Sequence, residues 1–234
     1  MNGGIIGASN NRRSGVWSPI DTLMDTNGIR SANADITSGL IHKYPLTSDA
    51  NDVVGTAHLT NNNSVAFSSE GAAFVRGSSK SLTVTMTQPT QFSWSLWFKV
   101  PAPGAGENHC ICGIATAVAD YRIFAEIVPT YSLTVDPQNT STINRPLVNT
   151  GGWRHLVIEG YAVGDNPNEF NAYVDGTLLI SSVYDRTGVT ITNTLALGRP
   201  GAYNGDYLTG NIRDFRIYER HLTAAEVLTL YRRG

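Results

Sequence analysis

The stretch Leu208–Tyr231, LTGNIRDFRIYERHLTAAEVLTLY, reads as one β-strand running into one short helix. From Asn211 to Tyr218 a period of two places Ile212, Asp214, Arg216 and Tyr218 on one side and Arg213, Phe215 and Ile217 on the other. The strand is expected to end at Glu219-Arg220. Thr223 then stands three residues before Glu226, so its hydroxyl can accept the Glu226 backbone N–H while the Glu226 carboxylate reaches back to the Thr223 N–H, a capping box. Leu222 and Val227 flank that cap with the spacing of a hydrophobic staple, and Val227, Leu230 and Tyr231 share one helical face. One short C-terminal helix follows from these signals.

Upstream, short apolar runs separated by turn residues recur at the spacing of an antiparallel sandwich. Phe92–Val100 (FSWSLWFKV) places Phe92, Trp94, Leu96, Phe98 and Val100 on one buried face and Trp97 on the other. Further strands are expected at Leu40–Leu46, with Pro45 marking an edge, and at 64–67, 73–75, 81–86, 110–114, 122–128, 132–135, 153–160 and 171–174. Asp175-Gly176 is a two-residue hairpin turn of the favoured kind. With 234 residues the chain suits a single large β domain, since sandwiches often reach about 200 to 250 residues.

These landmarks resemble those of the laminin-G-like, or concanavalin-A-like, β-sandwich domains. Gly210-x-Ile212-x-Asp214-Phe215-Arg216-Ile217-Tyr218 with Leu222-Thr223-x-x-Glu226-Val227 is similar to the family's closing signature. Gly152-Trp153-Arg154-His155-Leu156-Val157, Tyr173-Val174-Asp175-Gly176 and Leu197-Gly198 match its middle, Phe92–Val100 its early core strand, and Leu46–Gly55 its opening loop. The resemblance implies an antiparallel jelly-roll sandwich over 39–234 and leaves 1–38 as an N-terminal arm. It does not by itself imply an activity, because one fold hosts many functions.

Charge and composition narrow the function classes. Charged residues make up 15% of the chain, against about 25% in ordinary domains, as expected of a turn-rich β protein. The formal net charge is −2 and no basic block exceeds two residues, so no nucleic-acid partner is expected. The start MNGGIIGASNNRRSG has no apolar h-region and the sequence has no long apolar run, so neither a classical signal nor a membrane partner is expected. Cys110 and Cys112 stand too close for an unstrained bridge and read as reduced thiols. His109, Cys110 and Cys112 lack the second pair of ligands a closed zinc site requires.

Residues 1–38 carry apolar anchors, among them Ile5, Ile6, Val16, Trp17 and Leu23, without a period or enough mass to close a core. Such a segment needs something to lie on, either its own sandwich or a neighbouring subunit. Ile6-Gly7 followed by Ser14-Gly15-Val16-Trp17-Ser18 resembles the opening of structural proteins of tailed bacteriophages. That resemblance implies a virion component assembled in the host cytoplasm and a homo-oligomer, with the major capsid protein or another virion subunit as the arm's partner.

Catalysis is not expected. No Glu of the seven begins the E-x-D-x-x-E run of sandwich glucanases; most of them read as turn or strand-edge residues, and Glu226 is taken by the cap. No G-x-S-x-G elbow or paired-histidine motif is present, and His155 reads as structural. No cofactor is required; calcium is the candidate the resemblance offers, through Asp49, Asn51 and Asp52 in the opening loop and Asp214 in the closing signature. Arg213 stands where the family usually has a further acidic residue. The alternative is that Asp214 and the loop residues serve as turn formers and acceptors of backbone N–H groups. For carbohydrate, Tyr203, Asn204, Asp206 and Tyr207 form the stretch with aromatics beside amide and carboxylate groups. The resulting expectation is a non-enzymatic phage virion protein, a capsid decoration or cement protein with an anchoring arm and an outward sandwich that contacts host-surface glycan. The alternative is a carbohydrate- or receptor-binding protein of the tail.

Overall fold

The computed structural model describes residues 24–25, 28–29, 35–101, 107–115, 122–128, 132–136, 143–147, 151–161, 168–184, 192–199 and 206–234. The chain divides into two units, Met1–Asp35 and Ile36–Gly234. In the first, β1 (Met24–Asp25) and β2 (Gly28–Ile29) pair antiparallel. The arm anchors Ile5, Ile6, Val16, Trp17 and Leu23 lie outside the described residues.

The second unit runs β3 (Leu40–Tyr44), β4 (Thr60–Asn62), β5 (Ala66–Ser68), β6 (Gly71–Phe74), β7 (Ser81–Thr87), β8 (Gln91–Lys99), β9 (His109–Ala115), β10 (Arg122–Val128), β11 (Ser132–Asp136), β12 (Ile143–Pro146), β13 (Arg154–Tyr161), β14 (Asn168–Val174), β15 (Thr177–Tyr184), β16 (Thr192–Leu197), β17 (Gly210–Tyr218) and helix α1 (Ala224–Arg233). Among the described residues these strands form two antiparallel sheets. One has the order β12-β11-β10-β9-β16-β7-β4 and the other β15-β14-β13-β8-β17-β6-β5. The expected antiparallel sandwich with one C-terminal helix is therefore present. Strands β4 and β12 carry too few apolar residues to stand out in the sequence, TNN and INRP; their neighbours supply the pairing.

The core between the sheets is built on alternation. Phe92, Trp94, Leu96 and Phe98 of β8, Leu156 and Ile158 of β13, and Phe170 and Ala172 of β14 all join the same apolar cluster and are essentially inaccessible. The opposite face of β8 and β13 is also covered, because α1 lies over it. Val157 and Tyr218 pack there with Leu222, Val227 and Leu230, the staple and the helix face expected from spacing. Each such aliphatic side chain contributes roughly 1.5–3 kcal/mol on burial. Trp97, on this second face, stacks on Tyr231 with ring centroids 5.9 Å apart. Small hydroxyls fill the remaining positions and are bonded: Ser93 Oγ donates to the Arg220 carbonyl at 2.8 Å, and Ser95 Oγ lies 2.9 Å from His155 Nε2.

Strand β17 departs from strict alternation. Its register with β8 shifts between Arg213 and Arg216, and Asp214 sits at φ 48°, in the left-handed region. This is a β-bulge. It brings Ile212 into the inter-sheet core with Phe215 and Ile217 and turns Asp214 away, which corrects the face expected for Ile212. The bulge lies where β17 exchanges partners: Gly210–Ile212 pair with β6, Phe215–Tyr218 with β3, and the Asp214 N–H bonds the Pro45 carbonyl at 3.0 Å.

The helix start is also a clamp. Thr223 and Glu226 form the capping box, with Thr223 N–H to Glu226 Oε2 at 2.8 Å. Arg220 grips the same carboxylate with two nitrogens, at 2.9 and 2.6 Å, and its Nε donates to the Ser38 carbonyl at 2.9 Å. The guanidinium, opposed by partial burial and aided by the cap, holds the Glu226 carboxyl down at about 2 against an ordinary 4.5. A depressed acid stabilises the fold above its unfolded value, so this contribution is complete above about 4.5 and is lost as pH falls toward about 2. Glu226→Gln is expected to cost about 1–2 kcal/mol at neutral pH in chemical denaturation, and the difference from wild type should vanish near pH 2. A difference that persists there would assign the effect to packing instead.

Candidate functional site

Of the four residues expected to meet carbohydrate, Tyr203 and Asn204 lie outside the described residues, while Asp206 and Tyr207 begin the segment that leads into β17. That segment is fastened at four points. Cys110 N–H donates to the Asp206 carbonyl at 2.8 Å and Leu208 N–H to the Gly198 carbonyl at 2.9 Å. Thr209 N–H donates to His109 Nδ1 at 3.0 Å, and Thr209 Oγ1 accepts the Arg76 N–H at 3.3 Å. Asp206 itself stands at φ 45°, which Asp tolerates better than most residues.

Around it the fold assembles a polar rim from three distant parts of the chain. Arg76, in the 3₁₀ turn Arg76–Ser78, donates Nη1 to the Asn108 carbonyl and brings Nη2 to 3.7 Å from Asp206 Oδ1. Glu107 Oε2 is 3.8 Å from Nε2 of His109. The Arg76 and Asp206 side chains are about one-third exposed, at 31% and 35%, so they can reach a ligand while their bases are fixed. His109 is buried. Burial and the Arg76 charge push its pKa below 6.5 against the opposing pull of Glu107, Asp206 and a hydrogen bond to the Tyr207 backbone. Arg76, Glu107 and His109 carried no sequence signal for this role, because their proximity to Asp206 depends on pairings about a hundred residues apart.

The residues considered for calcium are engaged by the protein. Asp52 has a fully buried carboxylate that accepts N–H bonds from Lys43, Val54, Gly55 and Ala57 at 3.0–3.3 Å and lies 2.6 Å from His42 Nδ1. Burial raises its pKa, but the Gly55, Lys43 and Val54 N–H groups and the His42 bond outweigh it and hold the carboxyl below its ordinary value. Asp49 accepts the Asn51 N–H at 2.8 Å, a turn bond. Asp214 takes the Arg216 guanidinium on both oxygens, at 2.9 and 2.8 Å. Among the described residues no cluster of three or more His, Cys, Asp or Glu side chains could hold a metal ion. Arg213, at the position where an acid is usual, lies 4.3 Å over the Trp153 ring and 5.7 Å from that of Trp97, a cation–π contact.

Three buried polar side chains, Ser95, His155 and Glu159, bear on catalysis. Ser95 and His155 are within hydrogen-bonding distance, yet His155 is 1% exposed and its Nδ1 has no partner, so no acid orients it. Burial drives its pKa to about 4, with Asp214 raising it and Arg216 lowering it further. His155 is structural, packed 5.1 Å from Trp97. Glu159 is buried in mid-strand beneath the helix start, where Oε1 accepts the Leu222 N–H at 2.9 Å. Cys110 and Cys112 are buried and not disulfide-bonded.

Residues 55–228 match the model of the concanavalin A-like lectin/glucanases superfamily. The chain belongs to this superfamily. Among solved structures, the botulinum neurotoxin serotype D ligand-binding domain in complex with N-acetylneuraminic acid is similar at 16% identity and TM-score 0.64, over 84% of this chain and 51% of that one. The botulinum neurotoxin type G receptor-binding domain gives 19% identity and TM-score 0.62, over 83% and 51%. Domain 4 of AbnA, a GH43 extracellular arabinanase from Geobacillus stearothermophilus, in complex with arabinotriose, gives 20% identity and TM-score 0.59, over 83% of this chain and 98% of that domain. The chain thus spans about half the length of the neurotoxin domains and nearly all of the arabinanase domain, and at these identities the likeness is one of fold. No curated protein matches the chain.

Proposed function

We propose that this chain is a non-catalytic carbohydrate-binding module of the superfamily, and that it binds glycan at the rim formed by Arg76, Asp206 and Tyr207. The observation that carries this reading is the Arg76–Asp206 pair: a cation and a carboxylate, part-exposed, on backbone fastened at both sides, next to a tyrosine. Sugars need such an arrangement, with charged donors and acceptors of fixed direction for hydroxyls and an aromatic face for C–H groups. The fold likeness to domains solved with arabinotriose and with N-acetylneuraminic acid supports a sugar as the class of ligand. Tyr203 and Asn204 complete the same stretch in sequence.

The setting we propose is the virion of a tailed bacteriophage, with residues 1–38 anchoring the module to the shell as a decoration protein and the sandwich meeting host-surface glycan. The Ile6-Gly7 and Ser14–Ser18 start supports that setting. A tail position would use the same rim.

Binding is tested with arabino-oligosaccharides and sialylated oligosaccharides on an array, followed by calorimetry. Asp206→Ala with Tyr207→Ala is expected to weaken the tightest wild-type interaction by about tenfold or more. Affinity within about twofold of wild type in that double variant, with the fold intact by circular dichroism, would remove the rim from consideration.

A further inference from the structure

The segment carrying Asp206 and Tyr207 is tied to β9 at two points, the Cys110 N–H on the Asp206 carbonyl and, at Thr209, one titratable ring. His109 Nδ1 accepts the Thr209 N–H at 3.0 Å, so that nitrogen carries no proton and the ring is the neutral tautomer with its hydrogen on Nε2. An imidazolium has a hydrogen on both nitrogens. Flipping the ring brings no relief, since either nitrogen would then point a donor at the Thr209 donor. Protonated His109 and a fastened Thr209 are therefore incompatible, whatever the ring's orientation.

We propose that His109 is a pH-dependent latch at the Thr209 end of Asp206–Thr209: with the ring neutral Thr209 is held to β9, and on proton uptake that bond is lost and the segment is left to its remaining ties, the Cys110 bond to Asp206 and the Leu208 bond to Gly198. The consequence for ligand, loss of the rim at acid pH, rests on the glycan reading of that rim; the latch itself does not. The groups facing the ring set its direction. Arg76 in the 3₁₀ turn opposes the imidazolium. Glu107, 3.8 Å from Nε2, and Asp206 in the released segment favour it, as does the hydrogen bond to the Tyr207 backbone. Ile127, opposite His109 on β10, is apolar and buried. The ring is 3% exposed, and burial is the largest of these influences. The folded pKa is thus below the ordinary 6.5, the fastened state prefers the neutral ring, and its hold weakens as pH falls through 6.5 toward the lowered value.

The loss is local. Asp206–Thr209 lies outside the strands and is held by a handful of hydrogen bonds and one core side chain, Leu208, whereas β8 lies between β13 and β17 and is buried on both faces. Local opening of such a segment costs less than global unfolding.

Amide hydrogen exchange by NMR on the full chain tests the latch without any ligand. Between pH 7.5 and 5.0, with rates corrected for intrinsic chemistry, protection at Leu208 and Thr209 is expected to fall about tenfold or more while Leu96 in β8 keeps its protection. His109→Gln, whose Oε1 can accept the Thr209 N–H and does not titrate, is expected to hold protection constant over the same range. Glu107→Gln, which removes a charge that favours the imidazolium, is expected to move wild-type release to lower pH, and it serves if the glutamine at 109 prevents folding. The latch is overturned by wild-type protection that stays level while the His109 Cε1 resonance titrates, by the same fall in His109→Gln, or by an unmoved midpoint in Glu107→Gln. Oligosaccharide titrations at the two pH values separate the two claims. An absence of binding at both ends the glycan reading and leaves the exchange result standing.

Discussion

Gly198→Ala is expected to lower stability by about 3 kcal/mol or more, through two effects that act at one atom. Gly198 stands at φ +82°, where a side chain costs roughly 1–2 kcal/mol. Its added methyl would overlap Cδ1 of Phe74 and lie 2.7 Å from Cε1. Phe74 is 2% exposed in the inter-sheet core, so the ring has no free space into which to move. The Gly198 carbonyl also holds Leu208 and its N–H bonds Ile111, so any relief by backbone shift disturbs β9 and the segment bearing Asp206 together. Urea unfolding measures the effect, with Gly152→Ala as the control. Gly152 is exposed, has no left-handed φ, and its Cβ would meet nothing within 4 Å. A loss below about 1 kcal/mol in Gly198→Ala would mean that the Phe74 contact is looser than described.

Asp52→Ala is expected to cost about 3 kcal/mol, because four backbone N–H groups and His42 converge on a carboxylate with no exposure. Asp52→Asn should cost less, about 1–2 kcal/mol: Oδ1, which serves Lys43, Val54 and Gly55, survives, while an amide replaces the Oδ2 that serves Ala57 and His42. Since the folded pKa is depressed, the contribution of the charge is complete above the ordinary 3.8 and is lost as pH falls below it. The gap between wild type and Asp52→Asn should therefore narrow in acid, and a gap that is flat with pH would contradict the charge-based account. The same crowding predicts that calcium and EDTA leave the melting temperature within about 1 °C of each other, since five donors already occupy the Asp52 oxygens. A rise of several degrees with calcium would restore the opening loop as a metal site.

Local signals were legible in the chain wherever the physics is itself local. Thr223, Glu226, Leu222 and Val227 lie within one turn and its flank, and their cap and staple appear as read. Phe92–Phe98 alternates over a long enough run to declare its core face, and Asp175-Gly176 turns with φ of 50° and 78° as the hairpin requires. The superfamily landmarks are of this kind, which is why the sandwich could be expected before any coordinate. Alternation failed at Asp214, where one extra residue redirects Ile212. The cause is a partner exchange: the N–H of Asp214 turns to Pro45, just past the end of β3 and far away in sequence, and no pattern within β17 records that choice.

The functional rim follows the same division. Tyr203–Tyr207 attracts notice by composition, but the partners of Asp206 come from residues 76 and 107–110, and neither stretch resembles a binding motif. His109 stood out in HCICG only as a poor metal ligand; its meeting with Thr209 spans 100 positions. A charge in mid-strand such as Glu159 is normally solvated, and its burial beneath the helix start, with the Leu222 N–H on its carboxylate, is a tertiary arrangement that β13 does not record. Periodicity, caps and turns act through neighbours a few residues apart, so the sequence by itself determined most of the strands, the helix and the family. Registers, bulges and the convergence of Arg76, His109 and Asp206 arise from which strand lies beside which, a choice made by packing two sheets at once, and that only the tertiary structure decided.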